Sequence, residues 1–433
     1  MSRKELKRKV CAKIEENSAE IIKIVKKIYN NPETGYKEKK TTELVKETFQ
    51  KLNLNVEEEI ALTGVKATAK SKAGFPNIAV LGELDAVILR EHPDADLTTG
   101  AVHACGHNNQ IGIMLGVAYG VVKSHLLEKL DGIINFMAVP AEEFIELEYR
   151  DDLITEGKLN YIGGKQELIK RGYFDEIDLA MLVHSYDVGE MKDVIVGPSG
   201  SGFIGKRISF KGQSSHAGDA PEKGVNALNA AVLAINNINA QRETFKDADK
   251  IRVHPIITKG GDVVNIVPGE VKMESYVRGR TVEAIFNANQ KVNRAIQAGA
   301  DAVGAEVEIK DIPGYLPLNN YPKLLQLFEQ NLEGIVPKGR VIKEKSFAGS
   351  FDMGDLSHIM PTLHPFFSGV RGSLHSKNFQ TVDYEQAVIK PAKVIAKTII
   401  DILIDKKTVF EKLKTPPYTK EEYLDILSNM ESP

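Results

Sequence analysis

Cysteine and tryptophan are scarce in this chain, whose 433 residues include two cysteines and no tryptophan. Cys11 and Cys105 lie far apart in the sequence, so a disulfide framework is not expected and a reducing compartment fits better. The longest apolar run, at 111–122, falls short of the roughly 20 residues that a membrane helix needs. The basic start, "MSRKELKRKV", has no apolar signal segment after it. We therefore predict a cytoplasmic protein without a membrane partner.

An excess of charge of either sign is also missing. Lys and Arg number 56 and Asp and Glu number 59, which gives a formal net charge of −3. Nucleic acids and anionic membranes attract basic surfaces, so neither partner is predicted. A hydrophobic fraction of 42% and a charged fraction of 27% are typical of a globular protein. The length suits two or three domains.

Apolar runs alternate with helical stretches in the first part of the chain. Two opening helices are predicted between Glu5 and about Leu52. Strands are then predicted in "NIAVLGEL", "DGIINFMAVP" and "LAMLVH", with a helix at 111–127. Apolar strands separated by helices predict an α/β fold, a mixed, mostly parallel sheet with helices on both faces.

The order of elements changes after about residue 197. There follow a strand in "FIGKRISFKG", a helix in "NALNAAVLAINNINAQ", strands in "IRVHPIITKGG" and "NIVPGEVKMESYVRG", a helix at 282–303 and a strand in "AEVEIKDI". This βαββαβ order predicts a four-stranded antiparallel sheet with two helices on one face. We therefore predict an inserted α+β domain at 198–312 and a discontinuous first domain at 1–197 and 313–433.

Residues of metal-binding types lie near the ends of the predicted strands and in a later loop. They are Cys105, His107, Glu142, Glu143, His184 and His375. The carboxyl ends of the strands in an open α/β sheet line one crevice, so distant residues can meet there. Thiolate, imidazole and carboxylate together suit Zn²⁺, Mn²⁺, Co²⁺ or Ni²⁺ better than Mg²⁺ or Ca²⁺.

Each of these residues taken alone has a plainer interpretation. A histidine such as His184 is more often a hydrogen-bonded core residue, adjacent glutamates are more often solvated, and Cys105 is as readily buried and inert. Pro140 should end the strand, which places Glu142 and Glu143 in a turn. One glutamate can then bind a metal while the other transfers a proton of its water. Together the residues favour a metal-dependent hydrolase.

Eight motifs occur in an order typical of a known family. They are "GELDAV", "HACGHNNQ", "VPAEE", "LVHS", "QSSHAGDAPEKGVNALNA", "GGDVVNIVPGEVKMESYVRG", "DMGDLSHIMPTLHP" and "GSLHSKNF". Over nearly the whole chain they resemble metal-dependent amidohydrolases of the aminoacylase and carboxypeptidase superfamily. The nearest branch holds hippurate hydrolases, indole-acetyl-amino-acid hydrolases and the aminobenzoyl-glutamate hydrolase type. The resemblance implies a zinc-aminopeptidase-like catalytic domain with an inserted lid and dimerisation domain.

The same resemblance implies two divalent metal ions per subunit, drawn from Mn, Zn, Co and Ni. The implied ligands, carried over by motif, are Cys105, His107, Glu143, His184 and His375. Glu142 is left as the general base, and Cys105 becomes a metal thiolate that can bridge the two ions. Asp85 is implied as the carboxylate that orients a metal ligand, with an ordinary turn residue as the alternative.

The inserted domain carries candidates of its own. His216 resembles a histidine that reaches across a dimer to polarise the scissile carbonyl, and Asn265 and Arg278 resemble residues that hold the substrate near its carboxylate. The plainer alternatives are a polar loop residue for His216 and a surface ion pair for Arg278. The resemblance thus implies a homodimer formed through the insert.

Four further positions lie near the predicted ligands in the sequence or in its motifs. Many relatives read GHD followed by a further histidine, whereas this chain has Asn108 and Gln110. Glu83 stands where more distant members have a metal-binding histidine. His103 is not a ligand in the family motif, so we assign it a structural or supporting role.

We therefore predict hydrolysis of the amide bond in an N-acyl or aminoacyl amino acid or a small dipeptide. The alternative is a non-catalytic ligand-binding sensor on the same fold. The presence of Glu142 argues against the sensor, because a pure binder has no use for a base beside a metal's water.

Overall fold

The computed structural model describes residues 1–431, which form two compact units. The first unit comprises Met1–Ser199, Asn319–Ser346 and Leu356–Pro417. The second comprises Gly200–Leu318, Phe347–Asp355 and the segment that begins at Tyr418. Within the described residues, no helix combines the length and the apolar character needed to cross a membrane.

Thirteen α-helices lie within the described residues, distributed over the two units. The α-helices are α1 Arg3–Glu16, α2 Ser18–Tyr29, α3 Lys39–Lys51, α4 His107–Lys123, α5 Leu147–Thr155, α6 Gly164–Lys170, α7 Ala227–Ala240, α8 Val282–Asp301, α9 Pro322–Asn331, α10 Met353–Ile359, α11 Lys390–Ile404, α12 Lys406–Phe410 and α13 Lys420–Met430. Short 3₁₀ turns lie at Leu126–Glu128, Pro221–Lys223, Arg242–Thr244, Asp247–Asp249 and Lys338–Arg340, and a π-helical turn, Glu385–Ile389, precedes α11.

The strands are mostly short. They are β1 Asn55–Ile60, β2 Gly64–Lys70, β3 Asn77–Glu83, β4 Val87–Ile88, β5 Ala101–Val102, β6 Ile133–Val139, β7 Leu179–Met181, β8 His184–Ser185, β9 Val194–Pro198, β10 Gly202–Lys211, β11 Arg252–Val253, β12 Ile256–Lys259, β13 Glu270–Gly279, β14 Glu306–Pro313, β15 Val341–Lys345, β16 Thr362–Leu363, β17 Phe366–Phe367, β18 Val370–Arg371 and β19 Gln380–Thr381.

A six-stranded sheet in the order β1-β2-β6-β3-β7-β16 forms the centre of the first unit. Its pairs β6-β3, β3-β7 and β7-β16 are parallel, and β1-β2 and β2-β6 are antiparallel. Every residue of β3 is buried, which is expected of a strand covered on both faces. The predicted α/β fold with a mixed, mostly parallel sheet is confirmed.

Helix α4 packs against β3 and also contacts α1, α2 and α11. Glycines make this close packing possible, because a Cβ at Gly112 would lie 2.3 Å from Val25 Cγ2 and a Cβ at Gly120 would lie 2.8 Å from Ile14 Cγ1. The helix begins at His107, four residues before the predicted start at 111. This difference matters for the site, because it places His107 in the first turn of the helix.

The opening segment forms three helices where two were predicted. Asn17 separates α1 from α2, and its side-chain Nδ2 donates to the carbonyl of Lys13, which competes with helix continuation. The apolar residues keep helical spacing on both sides of Asn17, so the periodicity alone does not reveal the break.

The second unit contains the predicted antiparallel sheet, in the order β11-β13-β10-β14 with β12 also paired to β13. The stretch predicted as one strand in "IRVHPIITKGG" is divided into β11 and β12 around Pro255, which has no N–H to donate to a ladder. Helices α7 and α8 pack against each other and against β13.

The second unit extends beyond the predicted insert at 198–312. Phe347–Asp355 and the segment from Tyr418, both predicted for the first domain, belong to it. Helix α13 packs against β14 and buries Tyr423, Leu427 and Met430. The burial of this apolar face explains why the C-terminal helix departs from the predicted division.

Candidate functional site

The loop between β5 and α4 carries Cys105 and His107 on either side of Gly106. Gly106 has φ +84°, in the left-handed region, and a Cβ there would approach Ser185 Cβ to 2.9 Å. Both facts favour glycine at this position. The resulting turn leaves ligand atoms of Cys105, His107 and His184 within 4.8 Å of one another.

His107 is oriented by Asp85, which follows β3. The Nδ1 atom of His107 lies 2.9 Å from the backbone oxygen of Asp85 and 3.2 Å from its Oδ1. A carbonyl oxygen can only accept, so Nδ1 carries a proton and a metal ion would bind through Nε2. His184 is fixed in the same way, because its Nδ1 lies 2.7 Å from the backbone oxygen of Ser185.

The second group of ligand atoms comprises Cys105, Glu143 and His375, again within 4.8 Å of one another. The backbone N–H of His375 donates to Ala104 at 2.9 Å, which fixes the later loop to the cysteine loop. His375 Nε2 lies 3.0 Å from Glu143 Oε1, and Glu143 N donates to Asp85 Oδ2 at 2.9 Å. Cys105 therefore belongs to both groups.

The two glutamates lie in a turn after β6, which ends at Val139, one residue before Pro140. Glu142 Oε2 is 3.7 Å and Glu143 Oε1 is 3.9 Å from His107 Nε2. Glu142 also joins Glu83 and His107 in a third group of ligand atoms within 4.8 Å. Both glutamates of the pair thus reach the same imidazole.

Imidazoles around Cys105 favour its thiolate. Burial and Glu143 oppose ionisation, but His107, His184 and His375 lower the pKa of the Cys105 thiol to about 6. A thiolate is the form of cysteine that binds metals. Glu143 raises the pKa of His375 to about 12 against the effect of burial, and His375 helps to lower the pKa of buried Glu143 to about 2.

Two of the positions that depart from the family pattern, Glu83 and Gln110, contact each other. Gln110 Nε2 donates to Glu83 Oε2 at 2.8 Å, and Glu83 N donates to Gln110 Oε1 at 3.1 Å. Glu83 Oε1 also accepts from Lys165 Nζ at 2.6 Å, and both side chains are buried. Burial opposes the charge on Glu83, but Lys165 and His107 hold its pKa well below the usual range. Lys165 lies in "GGKQELIK", which resembles a charged surface helix, so the sequence does not reveal its burial.

His103 and Asn108, noted in the sequence beside the ligands, are both buried. Burial and the neighbouring His107 lower the pKa of His103 to about 3, so its imidazole is neutral at pH 7. Neither residue belongs to the groups of ligand atoms described above. The supporting role assigned to His103 from the sequence stays a prediction.

The candidate substrate-binding residues of the second unit lie in two separate regions. His216 forms a β-bridge with Ile266, and Ala217 N donates to the backbone oxygen of Asn265 at 2.9 Å, so His216 and Asn265 are neighbours. His216 Nδ1 accepts from Gly218 N at 3.1 Å and from Asp219 N at 3.0 Å. The remaining nitrogen, Nε2, therefore carries the proton of the neutral ring and can donate it to a ligand.

Arg278 lies at the other end of β13. The strand positions 270 and 278 are about 27 Å apart at about 3.4 Å per residue, and the His216 loop adjoins the 270 end. Arg278 Nη1 donates to Ser350 Oγ at 2.5 Å, and the guanidinium lies 5.0 Å from the ring centre of Phe203 and 5.1 Å from that of Tyr276. The two places are thus too far apart to contact one small substrate from a single second unit.

Comparison with known proteins finds a matching domain model and several similar proteins. Residues 199–309 match the peptidase dimerisation domain. Thermostable carboxypeptidase 2 of Saccharolobus solfataricus is 27% identical over 81% of this chain and 86% of its own length. The human Xaa-Arg dipeptidase is 28% identical over 71% of this chain and 68% of its own length.

A solved structure shares the fold. The dinuclear metal-binding peptidase of the M20 family from Bacillus subtilis has a TM-score of 0.67 and 20% identity over 90% of this chain and 99% of its own. These similarities confirm the predicted resemblance to the aminoacylase and carboxypeptidase superfamily. They also confirm the predicted enzyme class, a hydrolase that acts on amide or peptide bonds.

Replacement of Cys105 tests the shared position of its sulfur. We expect Cys105→Ser to weaken Mn²⁺ or Zn²⁺ binding at least about tenfold, because an alcohol is a far poorer anionic ligand than a thiolate at neutral pH. Calorimetric titration of the metal-stripped protein measures the affinity. Cys11→Ser removes the other cysteine, on α1, and should leave metal binding as it is in the wild type; equal affinities for all three proteins would exclude ligation by Cys105.

Proposed function

We propose that this chain hydrolyses the amide bond of an N-acyl or aminoacyl amino acid, or of a small dipeptide, as a dimetal enzyme. The observation that carries the proposal is the pair of ligand groups that share Cys105, with Glu142 beside them. The alternative of a non-catalytic sensor receives no support from the relatives named above, since both bear the names of enzymes.

Five side chains would hold the metal ions. They are Cys105, His107, Glu143, His184 and His375. One thiolate, three imidazoles and one carboxylate suit Mn²⁺, Zn²⁺, Co²⁺ or Ni²⁺. Two such ions, when bound, would polarise the scissile carbonyl and lower the pKa of a water molecule. Asp85 would support the ligand set through its contacts with His107 and with the backbone of Glu143.

Glu142 would act as the general base and then as the general acid. Its carboxylate lies beside His107 Nε2 but outside the hydrogen-bonded pair of Glu143 and His375. It would take a proton from the attacking water and pass that proton to the leaving amine. His216 would donate its Nε2–H to the carbonyl oxygen, where negative charge develops during the attack.

The second unit supports a homodimer. Exposed apolar side chains are concentrated in one region of it, including Ile256, Val263, Val264 and Ile266, and Val264 is 99% exposed. Apolar exposure next to the His216 loop is typical of an interface with a second chain. We propose that His216 of one protomer serves the active site of its partner, and that Asn265 and Arg278 hold the substrate near its carboxylate.

The roles of the two glutamates can be separated by parallel substitutions. Glu142→Ala should retain the metal content of the wild type but lose about 10²- to 10⁴-fold in kcat, the usual contribution of a positioned general base. Glu143→Ala should lose metal as well as activity. Elemental analysis and turnover of a panel of N-acyl amino acids and dipeptides measure both; a decrease in kcat of less than tenfold for Glu142→Ala would rule out this base.

Subunit mixing tests the shared site. Homodimers of Glu142→Ala and of His216→Ala should both be inactive or nearly so. Random exchange of equal amounts gives about half heterodimers, each with one site that has both residues intact, so activity should recover to about a quarter of the wild-type value. If confirmed exchange restores no activity, His216 acts within its own chain or has no role in the reaction.

Arg278 is tested with pairs of substrates that differ in one group. Arg278→Ala should raise KM on the order of tenfold or more for substrates with a free carboxylate, because hydrogen bonds to charged groups contribute about 1.5–3 kcal/mol. Amidated analogues should be affected much less. Arg252→Ala, at an exposed arginine opposite Arg278 on β11, is the control; equal losses on both substrate types would indicate a structural role.

A further inference from the structure

A buried residue with a left-handed backbone precedes the two glutamates. Ala141 has φ +52°, a region that residues with a Cβ rarely occupy, and its side chain is fully buried. Neighbouring residues of an extended strand point to opposite faces. A left-handed residue after Pro140 breaks that alternation, and Glu142 and Glu143 both reach His107 Nε2.

Two hydrogen bonds hold Ala141 in this conformation. Its N–H donates to Glu38 Oε1 at 2.9 Å, and its carbonyl accepts from Gly164 N at 3.1 Å. The packing around it is tight, because a Cβ at Gly35 would lie 2.8 Å from Ala141 Cβ. Glu38 is fully buried, and its other oxygen accepts from Thr63 Oγ1 at 2.6 Å.

We infer that Glu38 is a positioning residue of the site, because its carboxyl group holds the left-handed turn at Ala141 that directs Glu142 and Glu143 to the same imidazole. The inference rests on the proposed function, in which Glu143 binds metal and Glu142 acts on the water. Glu38 touches neither substrate nor metal in this account. It acts through the backbone of Ala141.

Substitutions at Glu38 separate this role from a general contribution to folding. Glu38→Ala should weaken Mn²⁺ binding about 10- to 100-fold, the range observed when residues that orient metal ligands are replaced. Glu38→Gln keeps an oxygen for Ala141 N, and the Thr63 hydroxyl can turn to accept from the new amide, so its affinity should stay close to that of the wild type. Calorimetric titration of the full-length, metal-stripped variants measures these affinities.

Glycine at position 141 provides the decisive comparison. Glycine occupies the left-handed region without the steric cost of a Cβ, so the double variant Glu38→Ala/Ala141→Gly should regain most of the affinity lost in Glu38→Ala. A merely structural role of Glu38 predicts no such rescue. If Glu38→Ala binds Mn²⁺ like the wild type, or if the second substitution restores nothing, the inference is wrong.

Glu33→Ala is the matched control. Glu33 lies on the same segment, and its carboxylate accepts from the backbone N–H groups of Lys40 and Thr41 at 3.1 and 3.0 Å. Its loss should lower the melting temperature but leave Mn²⁺ affinity unchanged.

A crystal structure of Glu38→Ala provides a readout that does not depend on metal. Ala141 should leave the left-handed region in that variant, whereas an unchanged positive φ would overturn the inference. If the wild type binds none of Mn²⁺, Zn²⁺, Co²⁺ and Ni²⁺, the proposed function fails, and the φ angle at Ala141 still tests the role of Glu38.

Discussion

The buried carboxylate of Asp85 joins the two loops on which the site depends. Its Oδ1 and backbone oxygen contact His107 Nδ1 in the cysteine loop, and its Oδ2 accepts from the backbone of Glu143 in the glutamate turn. One fully buried residue thus contacts both a histidine ring and the backbone of a glutamate. Because residues that orient ligands strongly affect metal affinity, the positions of His107 and Glu143 as candidate ligands depend on this residue.

A second set of buried carboxyl groups surrounds these loops. Glu83 pairs with Lys165 and Gln110 and contacts His107, while Glu38 binds the backbone of Ala141. Burial and the neighbouring Asp85 raise the pKa of Glu38 to about 8, whereas Lys165 keeps Glu83 ionised. An ionised group without a partner is costly to bury, so the contacts of Glu83 with Lys165 and Gln110 are as necessary to the fold as to the chemistry.

The sequence reveals the candidate ligands more readily than the residues that support them. Cys105, Glu143 and His184 can be found because each follows a strand or loop whose apolar pattern is clear. Glu38 and Lys165 cannot, because their neighbours in "GYKEKK" and "GGKQELIK" are those of a solvated helix, and only the packing of other elements buries them. The α/β fold follows from the order of strands and helices. The association of α13 with the second unit depends on a tertiary contact with β14, and the sequence of α13 alone does not predict that contact.

The central claim is that Cys105 is a ligand shared by two metal sites. Anomalous diffraction from a crystal grown with Mn²⁺ tests it most directly. The account predicts two peaks about 3.5–4 Å apart, both within bonding distance of the Cys105 sulfur, with the histidines and Glu143 divided between them. A single peak remote from Cys105, or ions bound elsewhere in the first unit, would contradict it.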